Sequence, residues 1–413
     1  MRLVEEQFLT IEVKNLLLLG ASADQVFAIK TAKAMGLHVI VVDGNPNSPG
    51  FALADQYAIV STRDLPELKA FVDRLQITVH GVAVMGSDIS QYVSALAEYL
   101  SVPCIPLETA LITTDKLLMK QCFAENGVAI PWFSAVESFE HLCILVAERG
   151  LPLVLKPVDR SGARGVFLLK EGMDIEALYR RSIEESFSGQ VIIEEYLQGP
   201  QVSTETLFHQ GKGYTAGFVD RNYEMLDVFA PYILENGGWQ PSRLSKLQRS
   251  EIEKLIDDVA KALDIENGVI KGDIVYTETG AKVIEVATRL SGGDFSESLV
   301  PLGLGINYVR TALEIALNIK PDFEALIPKQ NKFVANRYFF PEKGQLIGIH
   351  GIEQVKTQSF VKKLDFFINV GEKIKPICSH ADRAGVFIVI ADSLEELEKR
   401  VSWVYETIVF EIS

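Results

Sequence analysis

The sequence predicts a mixed α/β and α+β fold, with a parallel sheet first and antiparallel strands after it. Over the first hundred residues, short apolar segments that end at Gly20, Asp43 and Gly86 alternate with segments of helical period. Strands that alternate with helices are typical of βαβ units and a parallel sheet. After Arg149 the apolar segments follow one another closely, with glycine-bearing turns between them, which indicates antiparallel pairing.

Periodicity and capping signals locate the individual elements. In the first part, strands are predicted at 15–20, 38–43 and 80–86, and helices at 27–35, 66–75 and 87–100, the last capped by Ser87 or Asp88. Further helices are predicted at 113–127 (capped by Thr114 or Asp115), 139–149 (capped by Ser138), 250–263, 306–317 and after the capping box at 393–396.

Composition narrows the classes of partner. The chain has 413 residues, which is enough for two or three domains. Its net charge of −15 disfavours a nucleic-acid partner, because phosphate backbones are bound by clustered Lys and Arg. No apolar run approaches the ~20 residues that span a bilayer. Residues 1–14 lack the basic region of a signal peptide. We therefore expect a cytoplasmic protein without a membrane partner.

The cysteines and histidines indicate no metal or disulfide framework. Four cysteines and six histidines are scattered, without a C-x-x-C or H-E-x-x-H pattern. We expect reduced thiols and structural histidines.

A dinucleotide site at the first turn is one alternative. Gly20 closes the first strand and Asp43 closes the second, about where such folds place the acid that binds the ribose. However, Ser22 and Gln25 stand where the second and third glycines of G-x-G-x-x-G are needed. An NAD-dependent oxidoreductase is therefore the weaker reading.

A hairpin in the second half of the chain carries two acids. Asp273 and Glu285 each lie six residues from Thr279, so an antiparallel hairpin centred there places the two carboxylates opposite each other, with Val275 opposite Val283. Like charges across a ladder repel, so a cation between them is expected, and Mg²⁺ prefers such oxygen ligands. A solvated acidic edge is the alternative.

A second segment, "VLKPVDRSGARGVFLL" (154–169), places Lys156 at the end of an apolar strand and a glycine loop after it. A lysine and a flexible glycine turn can cover nucleotide phosphates, although the loop lacks the G-K-[ST] of a Walker A motif. A plain hairpin with a surface lysine is the alternative.

A third segment, "VIIEEYLQGPQ" (191–201), is an apolar strand that ends in Glu194 and Glu195. Its backbone could pair with an adenine edge and its acid with the adenine amino group. An acidic strand end exposed to water is the alternative.

The order of these segments resembles the ATP-grasp superfamily, which includes biotin carboxylase, carbamoyl phosphate synthetase and the bacterial L-amino-acid ligases. The matching positions are Lys116, Lys156 with its glycine loop, Glu194–Leu197, the Asp273 and Glu285 pair, and Arg289. The resemblance covers essentially the whole chain. It implies an N-terminal Rossmann-like domain over 1–112, an ATP-grasp domain over 113–320 with a lid over 151–212, and a small mixed α/β cap over 321–413.

The resemblance also implies which residues bind ATP. The assigned residues are Lys116 and Lys156 for the phosphates, Ser161, Gly162, Ala163 and Gly165 for the covering loop, and Glu194, Glu195 and Leu197 for the adenine. Gln201 stands at the ribose position, where family members often have an acid; it is neutral but can still hydrogen-bond.

The resemblance further implies which residues bind the metal ion and which cations stabilise the negative charge that develops during the reaction. Asp273 and Glu285 would ligate Mg²⁺, with Mn²⁺ as a substitute, and Arg289 and Lys156 would be the catalytic cations. Many members read E-x-N-x-R, whereas Ala287 replaces the asparagine here. The number of metal ions, one or two, therefore stays open.

The implied reaction is ATP-dependent ligation of a small carboxylate, amino-acid-like, to an amine through an acyl phosphate, by a homodimer. The substrate pocket is expected between the N-terminal domain, the far end of the hairpin and segment 235–245. Its candidate residues are Arg221 and Arg243 for a substrate carboxylate, Trp239 for a wall, and Ser291, Gly292 and Gly293 for backbone amides near the acyl group. A non-catalytic ATP-binding module is the alternative.

Overall fold

The computed structural model describes residues 13–292 and 294–413. Two parts of the chain lie outside the described residues: residues 1–12 and Gly293. Residues 1–12 include most of the segment expected to lack a signal peptide. The N-terminal elements are β1 (Asn15–Leu19), α1 (Val26–Ala34), β2 (His38–Asp43), β3 (Gln56–Ile59), α2 (Leu65–Arg74), β4 (Gly81–Ala83), α3 (Ser90–Leu100) and α4 (Leu107–Thr114). The predicted parallel sheet is confirmed, with strand order β3-β2-β1-β4.

Three details of this region differ from the sequence prediction. Helix α4 (Leu107–Thr114) was not predicted. Strand β3 was missed because it lies at the sheet edge with alternate residues exposed. Helix α3 begins at Ser90 with Ile89 as its N-cap and no side-chain cap, so the cap prediction was wrong. The Asp88 carboxylate pairs with Arg289 instead.

The next segment forms a small antiparallel sheet with helices. Its elements are α5 (Lys116–Glu125), β5 (Phe133–Val136), α6 (Phe139–Arg149), β6 (Leu153–Pro157), β7 (Phe167–Leu169), α7 (Ile175–Glu185) and β8 (Val191–Glu195), with strand order β5-β8-β6-β7. Asp115 caps α5 by accepting from the N–H groups of Leu117 and Leu118, and Ser138 caps α6, as predicted. We call this unit the lid sheet.

The remaining strands form one large antiparallel sheet and a small one. The elements are β9 (Gln201–His209), β10 (Lys212–Arg221), β11 (Gly238–Gln240), α8 (Lys246–Ala262), β12 (Gly268–Thr277), β13 (Gly280–Ala287), α9 (Val300–Leu304), α10 (Tyr308–Ala316), β14 (Phe333–Phe339), β15 (Gly344–His350), α11 (Ile352–Lys356), β16 (Val361–Phe366), β17 (Lys373–Ile374), β18 (Gly385–Ala391), α12 (Leu394–Thr407) and β19 (Val409–Ile412). The large sheet has the order β13-β12-β9-β10-β11-β14-β18-β16, and the small one β17-β15-β19.

The large sheet continues across the expected boundary at residue 320. Five of its strands precede residue 320 in the chain, namely β9, β10, β11, β12 and β13. The other three, β14, β16 and β18, follow it. The C-terminal segment therefore extends the sheet that carries the acidic hairpin. The exact domain bounds stay a prediction. Among the described residues, no helix is both long and apolar enough to cross a membrane.

The hairpin of β12 and β13 pairs Asp273 directly with Glu285, as predicted. Its turn is one residue shorter than expected, so Val275 lies opposite Lys282 and the predicted Val275–Val283 pair was wrong. A bulge next to Asp273 inserts one extra residue in β13 and restores the register of the acids.

The N-terminal sheet and the hairpin meet end to end. Met85, after β4, forms a parallel bridge with Leu290, after β13, and the Gly86 N–H donates to the Leu290 carbonyl at 3.0 Å. Both apolar side chains are buried in a core shared with β1, β2 and α10. The charged residues that follow each strand, Asp88 and Arg289, are thereby brought together.

Candidate active site

A cleft of about 250 Å³ lies between the lid sheet and the acidic hairpin. Most of the predicted site residues line it: Lys116, Lys156, Ser161, Gly162, Ala163, Glu194, Glu195, Leu197, Gln201, Arg221, Asp273, Glu285 and Arg289. Segments more than 170 residues apart in sequence therefore meet at one cleft, as the order of motifs implied. The individual nucleotide contacts stay predictions.

A buried lysine pair surrounds Glu194 at the end of β8. Lys156 Nζ lies 2.8 Å from Glu194 Oε2, and Lys120 Nζ lies 3.5 Å from Oε1. Oε1 is buried and accepts no hydrogen bond from the described residues. Burial lowers the pKa of Lys120 to about 8, although Glu194 works against it. Sequence analysis missed Lys120; its signal was the helical i+4 spacing from Lys116.

Lys116 connects the glycine loop to the hairpin. Its Nζ donates to the carbonyl of Arg160 at 2.7 Å and lies 3.5 Å from Glu285 Oε2. Burial alone would lower the pKa of Lys116, but Glu285 and Asp88 outweigh it and raise that pKa. Lys116 is therefore a positive charge held beside the acidic hairpin.

Basic residues hold the two hairpin acids in their ionised form. Asp273 is buried, pairs with Arg221 at 3.0 Å and with Lys271, and accepts from Ser203 at 2.7 Å. Burial would raise the pKa of this carboxyl, but Arg221 and Lys271 hold it well below its usual range. Burial would also raise the pKa of Glu285, but the nearby charges of Lys116 and Lys156 lower it below its usual value. Lys271 was missed; it lies two residues before Asp273, on the same strand face.

This acid pair fits a magnesium ion. Two ionised carboxylates stand opposite each other, and hard oxygen ligands of this kind suit Mg²⁺. Within residues 13–292 and 294–413, no group of three or more His, Cys, Asp or Glu could enclose a metal. Mg²⁺ commonly takes one or two carboxylates and fills its remaining positions with phosphate oxygens and water. Two carboxylates would therefore leave positions on the ion for phosphate oxygens and water.

Arg289 is positioned by an acid from the N-terminal sheet region. Its Nη2 and Nε lie 2.7 and 2.9 Å from Asp88 Oδ1. Burial would raise the pKa of Asp88, but Arg289 outweighs it and lowers that pKa, so the pair is ionic. No local pattern could identify Asp88 as this partner, since 201 residues separate the two.

The glycine loop after β6 contacts the C-terminal segment. Gly162, Ala163 and Gly165 all have positive φ angles, of 67°, 59° and 69°. The Gly162 carbonyl accepts from the backbone N–H of His380 at 3.1 Å. Gly165 does not line the cleft but a neighbouring groove, and a Cβ there would meet Glu185 and Pro157 at 2.9 Å. The close packing against α7 requires a glycine at this position, and its contact with nucleotide stays a prediction.

The cleft opens into a second cavity of about 420 Å³, and several residues line both spaces. We call it the inner cavity. The residues common to both are Asp88, Ser161, Gly162, Arg221, Lys271, Arg289 and His380. The inner cavity also takes in Glu235, Ser291 and Gly292, so it lies where the substrate pocket was expected.

Two predicted substrate residues lie elsewhere. Successive residues of a strand face opposite sides, so Gly238 of β11 lines the inner cavity and Trp239 faces a groove against α12. Arg243 stacks on Trp239, with 4.1 Å between the guanidinium carbon and the ring centre, and is exposed. The prediction that Arg243 and Trp239 line the substrate pocket was wrong.

Ser291 is held by a buried acid that the sequence analysis missed. Glu205 in β9 is fully buried and accepts from both the backbone N–H of Ser291, at 3.0 Å, and its hydroxyl. The Ser291 amide is therefore occupied, which corrects the expectation that it approaches an acyl group. Gly292 lines the inner cavity, and Gly293 lies outside the described residues.

The comparisons with known proteins agree with this geometry. Residues 113–293 match the family model described as ATP-grasp domain, and residues 337–413 match the L-amino acid ligase C-terminal domain 2. Residues 113–293 are therefore an ATP-grasp domain, and residues 337–413 are a C-terminal domain of the L-amino acid ligase type. The predicted fold and family are confirmed.

Three relatives illustrate the likeness. The phosphoribosylamine–glycine ligase of Methanococcus maripaludis is 22% identical over 420 residues, covering 93% of this chain and 91% of its own. The L-amino acid ligase from Bacillus licheniformis has a TM-score of 0.79 and 22% identity, over 97% of this chain and 99% of its own. The biotin carboxylase domain dimer of Hydrogenobacter thermophilus 2-oxoglutarate carboxylase, complexed with MgADP, ADP and bicarbonate, has a TM-score of 0.71 and 18% identity, over 97% of this chain and 90% of its own.

We predict that Glu205 makes stability fall as pH rises. Burial raises the pKa of Glu205 from 4.5 to about 7, so between these values the unfolded chain releases the proton before the folded one does. The free energy of unfolding should therefore decrease by about 3 kcal/mol across this window, on the order given by linkage. Glu205→Gln should remove this part of the slope, measured as the difference between the two proteins in urea unfolding at pH 4.5 to 7.5. Parallel pH profiles for both would contradict it.

We also predict that nucleotide orders the glycine loop. With MgATP, the amides in residues 161–165 should exchange hydrogen at least about tenfold more slowly, because phosphates placed beside Lys116 and Lys156 would close the loop over them. Strand β15, far from the cleft in the fold, serves as the internal control. Equal loop exchange with and without MgATP would contradict closure.

Proposed function

We propose that the chain is an ATP-dependent carboxylate–amine ligase that acts on small, amino-acid-like molecules through an acyl phosphate. One observation carries the proposal: an ionised acid pair, Asp273 and Glu285, lines the cleft together with Lys116 and Arg289, and Arg289 also lines the inner cavity. This arrangement can hold a polyphosphate and an acid end to end.

ATP would lie with its adenine at the end of β8 and its phosphates toward the hairpin. Glu194 Oε1, which is buried and without a hydrogen bond from the described residues, is an acceptor suited to the adenine amino group. Lys156 and Lys116 would contact the phosphates, and residues 161–163 would cover them. The glycine loop already contacts His380, which supports a role as a lid.

Asp273 and Glu285 would hold Mg²⁺ together with phosphate oxygens. The bound ion would neutralise phosphate charge during transfer. Lys271 and Arg221, which offset Asp273 in the present state, would be left to face the substrate.

The first chemical step is attack of a substrate carboxylate oxygen on the γ-phosphorus, with ADP as the leaving group. Arg289, which Asp88 holds in place, lies where negative charge develops, and a fixed donor there stabilises the transition state. The amine then attacks the acyl carbon, phosphate leaves with the bonding electrons, and the amine nitrogen loses a proton. A closed glycine loop would keep water from the acyl phosphate.

The oligomeric state, the cellular location and the alternative metal ion stay predictions. A homodimer, a cytoplasmic location and Mn²⁺ as a substitute for Mg²⁺ are expected on the ATP-grasp likeness. The hydroxylamine assay varies the acid.

We predict that Glu285→Gln retains the fold and lowers Mg²⁺-dependent ATP consumption by about a hundredfold or more, on the scale of losing one fixed charge contact at a transition state. The reason is that a neutral amide is a weaker ligand than an ionised carboxylate. Glu278→Gln, at the exposed tip of the same hairpin, is the matched control and should keep wild-type activity. Turnover of Glu285→Gln within twofold of wild type would remove Glu285 from the metal site.

We predict that hydroxylamine intercepts the acyl phosphate. With MgATP, hydroxylamine and a panel of amino acids and related acids, the protein should form a hydroxamate and release phosphate without its natural amine. Arg289→Ala should slow this partial reaction about a hundredfold, whereas Arg310→Ala, an exposed arginine of α10, should not. ATP binding without any hydroxamate would favour a non-catalytic module. Release of AMP and pyrophosphate would show adenylation and contradict the acyl phosphate.

A further inference from the structure

Arg383 is a buried arginine in the wall of the inner cavity, on the segment that precedes β18. It is 9% exposed, and its guanidinium carbon lies 3.8 Å from the centre of the Tyr338 ring. One nitrogen, Nη2, donates to the backbone carbonyl of Glu235. Nε is buried and has no hydrogen-bond partner among the described residues. A buried donor without a partner is costly, so it needs an explanation.

Other arginines near this cavity have partners that explain their burial. Arg337 donates to the carbonyls of Gly238 and Asn336 at 2.9 and 2.8 Å, as a structural arginine does. The other cations of the cavity with acidic partners are Arg221 and Lys271, both with Asp273, and Arg289, with Asp88. By contrast, none of the ion pairs in the described part of the chain includes Arg383.

The neighbouring histidine does not compete for an anion. His380 also lines the inner cavity, and its Nε2 accepts from the backbone N–H of Glu235 at 3.2 Å. Burial, together with Arg383 and Arg221, lowers the pKa of His380 well below its usual value. His380 is therefore neutral, and the positive charges near it are those of Arg383, Arg221 and Arg164. Of these, Arg221 is paired with acids, and Arg164 donates to the Ser161 carbonyl at 3.1 Å.

We propose that Arg383 binds an oxyanion of the substrate that does not react, a carboxylate or a phosphate. A planar guanidinium held on an aromatic face with an Nε–H that has no partner is suited to such a group, because a charged N–H donor forms strong hydrogen bonds with oxyanions. Arg289 lines the same cavity, so one acidic group can be activated there while another is held at Arg383. This inference rests on the proposed function and adds a substrate class: molecules with an anionic group besides the reacting one.

The experiment compares matched substrates in phosphate-release assays. Each acid that wild type turns over is paired with an analogue whose non-reacting carboxylate is an amide, or whose phosphate ester is an alcohol. Wild type should prefer the anionic member in kcat/KM by about 10- to 100-fold, the scale of a hydrogen bond to a charged group. In Arg383→Met that preference should fall to near one, through KM for this substrate, with KM for ATP unchanged. Arg383→Lys should be intermediate.

The ratio within one enzyme preparation does not depend on the folded fraction, so partial loss of fold in Arg383→Met cannot imitate the result. Arg243→Met is the control, since Arg243 stacks on Trp239 at a comparable distance but lies outside the cavity. It should keep the wild-type preference. Which matched pair responds, carboxylate or phosphate, identifies the oxyanion.

Failure of the two proposals can be told apart. A wild-type preference that persists in Arg383→Met overturns the role of Arg383 and leaves the ligase standing. If wild type turns over no acid, the same pairs are tested by calorimetric binding with a non-hydrolysable ATP analogue. Binding of the anionic member that is lost in Arg383→Met then supports the site without the ligase reaction, and equal binding by both proteins overturns it.

Discussion

The site depends on two carboxylates placed directly opposite each other on neighbouring strands. Asp273 and Glu285 are both ionised, and their repulsion has to be offset by cations. Lys116, Lys271 and Arg221 supply that charge from three different elements. A metal bound with nucleotide would take over part of this role, so the same cations would become available to phosphate and substrate. The acid pair therefore determines where the cations of the cleft lie.

Three parts of the fold meet at this point through a few specific contacts. The bridge between Met85 and Leu290 aligns the end of the N-terminal sheet with the end of the hairpin. The pair that follows it, Asp88 with Arg289, then spans the two domains. On the other side, the glycine loop contacts the C-terminal segment through the carbonyl of Gly162. The cleft and the inner cavity are thus formed by contacts between distant parts of the chain, and they share several lining residues.

The continuous antiparallel sheet connects the C-terminal segment to the acidic hairpin. Strands β14 and β18 extend that sheet, so backbone hydrogen bonds fix Tyr338 relative to Asp273, and Arg383 lies two residues before β18. A cap attached only by a linker could not hold an arginine at a defined position. The relatives share this architecture at low identity, so differences in substrate can arise from single side chains on a common sheet.

Local pattern predicted the hairpin and the pairing of Asp273 with Glu285, but the count succeeded only because the shorter turn and the bulge in β13 offset each other. Local pattern also located three of the four strands of the parallel sheet and the order of the segments that meet at the cleft. The side on which a strand residue faces depends on which strands flank it, so Trp239 could be assigned to its groove only from the assembled sheet. Which charges form ion pairs, and which buried donors lack a hydrogen-bond partner, depends on contacts between segments that are distant in sequence. The roles of Lys120 and Arg383 were therefore decided by the tertiary structure, which sets the burial and the partners of a charge.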